Sequence, residues 1–266
     1  MEPEKDYINI NRASWNKQVD IHLKSDFYKQ EEFLAGKNTL NPIDLEVLGD
    51  VTGKKILHLQ CHFGQDSISL ARLGASVTGV DLSDKAIETA TQLARDLGAD
   101  AKFICCDLYS LPDFLDDDFD IVFTSYGTIG WLPDLDRWAA IVSRYLKPGG
   151  HFAFAEFHPF VWMFDNKFRE IEYRYFTSEA IVEVLSGSYA DRYADVELQH
   201  VSWNHALSEV ISSLLKAGLA LETFREFDYS PYNCFDETVE VAPGKFRITR
   251  LGDKIPMTYT LSARKP

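Results

Sequence analysis

KKILHLQCHFGQDSISLARLGASVTGVDLSDKAIETATQLARDLGADAKFICCDL, residues 54–108, decides the fold. KKILHLQ (54–60) is a short apolar run that predicts a strand, and DSISLARLG (66–74) predicts a helix ending at Gly74. ASVTGVDLS (75–83) is a second strand. SDKAIETATQLARDLG (83–98) is a helix with Ser83 at its N-cap and Gly98 just past its end. AKFICCDL (101–108) predicts a third strand. The same rhythm continues with a strand at FDIVFTSY (119–126). A helix follows at DLDRWAAIVSRYLKPGG (134–150), stopped by Pro148 and two glycines, and then a strand at HFAFAEF (151–157). Strands alternating with helices imply an α/β fold with a parallel sheet and right-handed crossovers. Such a sheet binds ligands at the carboxyl ends of its strands.

Outside this core the pattern changes. Residues 158–205 are rich in aromatics and contain the alternating stretches EIEYRYF (170–176) and EAIVEVLSGSY (179–189), which predict an inserted antiparallel hairpin or small sheet. A helix at 206–217 closed by Gly218, a strand near 220–228, an irregular stretch and a last strand near 256–263 complete the chain. The first 40 residues read as helices that precede the sheet. The expected organisation over 1–266 is one domain: a helical cover (1–45), a ligand-binding core (50–157), an inserted lid and substrate region (158–205) and the remainder of the core (206–266).

Composition narrows the function. The chain has 266 residues, 45% hydrophobic and 26% charged, enough for a substantial core. Its net charge is −14, from 41 acidic and 27 basic residues, which repels phosphate backbones and argues against a nucleic-acid substrate. No apolar stretch approaches a membrane span, and MEPEKDYINI (1–10) is too polar for a signal peptide. Cys61, Cys105, Cys106 and Cys234 match no zinc spacing and read as reduced thiols of a cytoplasmic protein. No His/Asp/Glu spacing suggests another metal site.

Three elements carry chemistry. QCHFGQD (60–66) joins the first strand to its helix, where a nucleotide-like ligand needs close backbone approach. Only Gly64 supplies a glycine there. Asp81 ends the second strand, 17 residues after Gly64. A carboxylate there suits ribose hydroxyls through charge-assisted hydrogen bonds; it equally suits a helix N-terminus. Asp107 ends the third strand, placed either for an exocyclic amine or as a solvated loop residue, and Leu108 beside it offers its N–H and apolar cover.

With FDIVFTSYGTIGWLPDLDRWAAIVSRYLKPGGHFAFAEFHP (119–159), these elements resemble the class I S-adenosylmethionine (SAM) dependent methyltransferases, closely over about residues 50–157. The whole chain is similar to a bacterial subgroup whose first loop reads LQCHFGxD. The resemblance implies a Rossmann-like, three-layer, seven-stranded sheet whose last strand is antiparallel, with SAM over the first loop and a small-molecule methyl acceptor. By position, Gln60, Cys61, His62, Phe63 and Gly64 pass beneath the methionine part of SAM, Asp81 holds the ribose and Leu82 flanks the adenine. Asp107 and Leu108 hold the adenine; Ser125, Tyr126 and Gly127 lie near the sulfonium and methyl group. His58 stands where most relatives have an acid and His62 where they have glycine, so Gln65 and Asp66 become candidates for the methionine contacts. NRASWNKQVDIHLKSDFYK (11–29) also resembles the subgroup. Trp15 and Tyr28 either cover the cofactor, with a cation–π gain of roughly 0.5–2 kcal/mol, or anchor a helix pair.

Candidate acceptor-pocket residues are Tyr126, Trp131, His158, Phe160, Trp162, Trp203 and His205, with packing of the insertion as the alternative role. Methyl transfer is a displacement governed by alignment, and a base is needed only when the nucleophile carries a proton. His158 and His205 are candidates for that role, with no catalytic residue assigned. Two other readings compete: a SAM-binding sensor without catalysis, and a nicotinamide-dependent reductase. The second is disfavoured by the lack of G-x-G-x-x-G and by LKPGG (146–150).

Overall fold

The first turn after the opening strand sets the architecture. In the computed structural model, β1 (Lys55–Leu59) runs into Gly64, whose φ of 81° starts α4 (Gln65–Arg72). A Cβ on Gly64 would sit 2.8 Å from the Phe103 ring and 2.9 Å from Ala90, so only glycine lets the helix seat this closely on the sheet. The structure describes residues 6–176 and 179–266. Residues 1–5 of the polar N-terminal stretch and residues 177–178 within the insertion lie outside it.

The alternation continues through β2 (Ser76–Asp81), α5 (Asp84–Leu97), β3 (Ala101–Cys105), β4 (Phe119–Ser125), α6 (Leu135–Tyr145) and β5 (Leu146–Phe157). Ser83 caps α5 as expected, its hydroxyl accepting from the Ala86 N–H, and Gly98 closes the helix in the left-handed conformation. Beyond these lie β6 (Ile181–Ser186), β7 (Glu197–Ser202), α7 (Leu207–Lys216), β8 (Ala220–Phe227), β9 (Thr238–Ala242), β10 (Lys245–Ile248) and β11 (Thr258–Arg264). The main sheet has the order β3-β2-β1-β4-β5-β11-β8. β1 to β5 are parallel, and β11 is antiparallel to both of its neighbours. The expected seven-stranded α/β sheet with its antiparallel strand is therefore present.

Successive residues of each central strand serve opposite faces. Leu57, Leu59, Val122, Phe152 and Phe154 join Trp138 of α6 and Leu214 of α7 in one buried layer. Ile56, Val77, Phe123 and Ala153 pack with Val47, Leu48 and Leu70 in the other. Three helices precede the sheet: α1 (Tyr7–Lys24), α2 (Gln30–Leu34) and α3 (Pro42–Leu48). α1 lies along α5 and β7, across the carboxyl ends of the strands.

Several boundaries differ from the sequence reading. The helix expected over 134–150 ends at Tyr145, and LKPGG already runs in β5, where Gly149 N–H reaches the Lys265 carbonyl at 2.7 Å. β3 ends at Cys105; Asp107 then caps a 3₁₀ segment over Leu108–Asp113. The insertion contains the expected hairpin, β6 paired antiparallel with β7. EIEYRYF is not a strand: it makes one isolated bridge, Phe164 to Ile171, because β6 has only β7 beside it. The stretch read as irregular holds a second hairpin, β9–β10, turned at Pro243–Gly244, whose alternating TVEVA/KFRI pattern is the signal that marks it. Among the described residues no helix is long and apolar enough to cross a membrane.

Candidate functional site

One large cleft, about 1100 Å³, opens at the carboxyl ends of β1 to β5 beneath α1 and the two hairpins. Ligand pockets commonly measure about 300–1,000 Å³, so the space suffices for two ligands side by side. Every residue expected to hold the cofactor lines it: Trp15, Gln60, Cys61, His62, Phe63, Gly64, Asp81, Leu82, Asp107, Leu108, Ser125 and Tyr126.

The first loop is shaped by backbone rather than by glycines. Gln60 has φ 54° and His62 φ 50°, conformations that cost a non-glycine residue about 1–2 kcal/mol each. Asp81 holds this loop in place. Its carboxylate accepts from the His62 N–H at 2.8 Å and the Ser83 N–H at 2.8 Å, joining the first loop to the start of α5. Burial raises the Asp81 carboxyl to about 6. A carboxylate offers about four lone-pair sites, so acceptor capacity remains for a ligand.

His62 fits where a glycine was expected because α1 and its following loop make room. Its ring meets Trp15 (5.3 Å between centroids), His22 (5.1 Å), Tyr28 (5.7 Å) and Phe63 (4.4 Å). His62 Nε2 lies 2.8 Å from His22 Nδ1, and His22 Nε2 lies 2.7 Å from the Ser188 hydroxyl. Burial pushes both imidazoles well below their usual range, His22 to about 3, so both are neutral at pH 7. Tyr28 and Tyr189 share a short hydroxyl–hydroxyl bond nearby. The insertion, α1 and the first loop thus meet above the sheet. His58, at a position where the resemblance implied an acid, is neutral for the same reason and bonds the Ser67 hydroxyl at 2.8 Å.

Gln65 and Asp66 face other partners. Gln65 donates to the Tyr28 carbonyl and to Gln30, fixing the approach of α2, and Asp66 accepts from the Thr39 hydroxyl at 2.5 Å. Asp107 accepts from the Ser110 hydroxyl at 3.3 Å. Leu108 is buried in the main apolar layer.

Of the acceptor-pocket candidates, Tyr126, Trp131, Trp162, Trp203 and His205 line the cleft. Trp131 stands edge-on to Trp15 and to His200. Trp203 is mostly buried against Tyr7. His158 and Phe160 do not line it. His158 is held on both ring nitrogens: Nδ1 accepts from the Phe160 N–H at 3.1 Å, and Nε2 donates to Glu226 at 3.0 Å. His205 is in the wall, but its Nε2 donates to the Leu132 carbonyl at 2.8 Å and Nδ1 faces Glu209 at 3.1 Å. Both candidate bases are thus engaged by other partners.

Three functional candidates carried no signal in the sequence pattern. Glu156, 2% exposed at the end of β5, accepts from the N–H groups of Gly127, Thr128 (2.8 Å), Ile129 (3.3 Å) and Phe157 (2.7 Å), and from the Thr128 hydroxyl (3.0 Å). It fixes the loop after β4. Gln18 of α1 is 2% exposed; its Oε1 accepts from Ser188, while its Nε2 has no partner. Asp44 of α3 accepts from the Tyr126 hydroxyl at 2.6 Å. With Asn41 it also closes a capping box at the start of α3.

Comparison with known proteins agrees with this geometry. Residues 56–150 match the methyltransferase-domain family. An uncharacterized methyltransferase of Synechocystis sp. is 35% identical over 133 residues, 49% of this chain and 60% of that protein. A ubiquinone biosynthesis O-methyltransferase of Idiomarina loihiensis is 32% identical over 120 residues, 44% of this chain and 49% of that protein. The chain spans half to three fifths of the length of these relatives. Among solved structures, a SAM-dependent methyltransferase from Mesorhizobium loti superposes with a TM-score of 0.57 at 23% identity, over 87% of this chain and 99% of that one. The sheet and its covering helices are therefore those of the SAM-dependent methyltransferase fold.

Proposed function

We propose that this chain is a SAM-dependent methyltransferase acting on a small molecule, with SAM over the first loop and the acceptor beyond Tyr126. The observation that carries this reading is the cleft itself: a buried Asp81 clamps the first loop at the end of β2, inside a space larger than one ligand needs.

The cleft also fits the cofactor's α-amino-acid end. Among the buried polar atoms of its wall that have no hydrogen-bond partner are Gln18 Nε2, Gln60 Oε1 and His200 Nε2. A buried polar group left unpaired costs about 1–3 kcal/mol. A ligand bearing both a carboxylate and an ammonium supplies the missing partners, the Gln18 amide donating to the former and the Gln60 oxygen accepting from the latter. Asp81 accepts from the ribose, and Asp107 and Leu108 flank the base. Trp15, edge-on to His62 and Trp131, closes the cleft from above. When bound, SAM supplies an activated methyl group on a sulfonium leaving group. The protein's share is alignment and exclusion of water: Glu156 fixes the loop that carries Tyr126, and the β6–β7 hairpin with α1 roofs the cleft.

A second reading, ligand binding without catalysis, draws on His62 in place of glycine. Release of S-adenosylhomocysteine (SAH) from SAM across a panel of phenols, amines, thiols and carboxylic acids separates the two. Turnover of any member supports transfer. SAH binding with no turnover of any class supports a sensor.

A further inference from the structure

The two histidine candidates for a base, His158 and His205, are both held by other partners, yet the wall contains a different acid–base arrangement. Tyr126 follows β4 with φ 43°, a conformation rare for a non-glycine residue and found mainly where surrounding structure enforces it. Its hydroxyl donates to Asp44 Oδ1 at 2.6 Å. The other carboxylate oxygen of Asp44 completes the capping box of α3, accepting from the Asn41 N–H at 2.7 Å and the Asn41 amide at 3.2 Å. Capping needs only that oxygen, and caps usually sit at the surface. Asp44 is fully buried, and no Lys, Arg or His pairs with it among the described residues.

Aromatic side chains surround the pair. Tyr126 meets Phe157 at 5.4 Å and Tyr232 at 5.1 Å, and Tyr232 stacks on Phe27 at 5.6 Å. Tyr126 and all three of these rings line the cleft, whereas Asp44 lies behind Tyr126.

We propose that Tyr126 and Asp44 are the proton-accepting pair for the methyl acceptor, with Tyr126 touching the acceptor and Asp44 acting through it. The inference rests on the methyltransferase reading. It assigns the acceptor's chemistry: the methylated atom is an oxygen or nitrogen that carries a proton, on an aromatic or apolar body. In the transfer that atom gains a bond to the methyl carbon, and the electron pair of the broken carbon–sulfur bond stays on sulfur. The acceptor's proton passes to the Tyr126 oxygen as the Tyr126 proton passes to Asp44, which later returns it to water.

The electrostatics suit this exchange. Burial, reinforced by the nearby charge of Asp66, raises the Asp44 carboxyl to about 7, against the lowering effect of its bonds from Tyr126 and Asn41. A base poised there both takes and releases a proton near neutrality. Burial pushes the Tyr126 phenol well above its usual range, so it relays a proton rather than ionising. The other titratable groups facing this corner are Tyr232 and, from α4, Asp66. His151 of β5 meets α3 at Val47, on the side away from the cleft, and Glu46 pairs with Arg225 of β8 at the surface.

Two measurements test the pair. The first is the infrared carboxyl band, wild type minus Asp44→Asn, across pH 5–9 on SAH-loaded protein. A midpoint near 7 is expected, moved upward by Tyr126→Phe because that change removes a bond to the charged form. The second is SAH release with catechol and with benzylamine as probes, which separates a hydroxyl from an amine acceptor. For the accepted probe, log kcat/KM rises with pH to a plateau with the same midpoint. Asp44→Asn lowers kcat/KM about 100-fold and removes the inflection, while KM for SAM is unchanged. Tyr126→Phe, which leaves the α3 cap intact, does the same even if Asp44→Asn folds poorly. A wild-type pH profile in Tyr126→Phe overturns the proposal, as does a carboxyl band that does not titrate between pH 5 and 9. Rejection of both probes by a protein that binds SAH also overturns it. Failure of the wild type to bind SAH overturns the underlying methyltransferase reading instead.

Discussion

At one end of the cleft, Gln60 to Gly64, Asp81 and Asp107 come from three successive strand-to-helix turns within 48 residues of chain. At the other, Asp44, Tyr126, Glu156 and Tyr232 come from four segments spread over 189 residues, and only Tyr126 and Glu156 stand at strand ends. The first end is made largely of backbone geometry repeated along a parallel sheet, with one carboxylate holding it. The second is made of side chains that meet only after the N-terminal helices and both hairpins have docked. Changes at the first end should therefore act on cofactor affinity, and changes at the second on acceptor chemistry and loop order.

The sharpest way to break this division is Asp81→Ala. It removes the proposed ribose contact and releases the His62 and Ser83 amides together. Loss of SAH affinity by about 100-fold is expected from calorimetry, since bonds to charged groups contribute about 1.5–3 kcal/mol each. Unchanged affinity would move the cofactor away from β2. Next in size is Glu156→Gln, which puts an NH₂ against a ring of N–H donors. A stability loss of about 2 kcal/mol is expected, seen as a fall in melting temperature of about 4–8 °C, with the SAH affinity of the folded protein nearly intact. A large affinity loss there would show that the two ends are not separable.

The pH dependence of binding sharpens the same point. Asp81 in the fold has its carboxyl at about 6, above the unfolded value of 3.8. Its ionisation therefore destabilises the empty fold as pH rises through that window, whereas ribose binding requires the ionised form. SAH affinity should be flat above pH 7 and about tenfold lower at pH 5. A flat profile down to pH 5 would mean that Asp81 serves only the backbone. Trp15→Ala tests the roof of the cleft. If the indole faces the sulfonium, SAM loses about 2- to 30-fold in affinity and neutral SAH less. Equal losses for both would make Trp15 a packing anchor.

What the sequence made legible follows the same boundary. The strand ends were readable because each is announced by an apolar run and a nearby helix cap, as with Ser83 and Gly98 around α5. Asp81 and Asp107 needed only that register. His62 was legible as a departure from glycine, but not the reason it is tolerated: the rings that house it come from α1 and the loop after it. Asp44 was not legible, because nothing local to residues 41–44 shows that Tyr126, 82 residues later, will close over it. His158 looked like a base because spacing cannot show that Glu226 and the Phe160 amide will occupy its nitrogens. EIEYRYF alternated like a strand, yet alternation creates no partner edge, whereas the quieter TVEVA/KFRI pair had its own partner one turn away.

The most direct measurement is calorimetric titration of the full chain with SAH and, separately, with NADH. Saturable one-to-one binding of SAH at roughly micromolar concentration, with no binding of NADH, is the expected result. No SAH binding at millimolar concentration, or NADH binding more tightly than SAH, would contradict the assignment of this cleft to SAM.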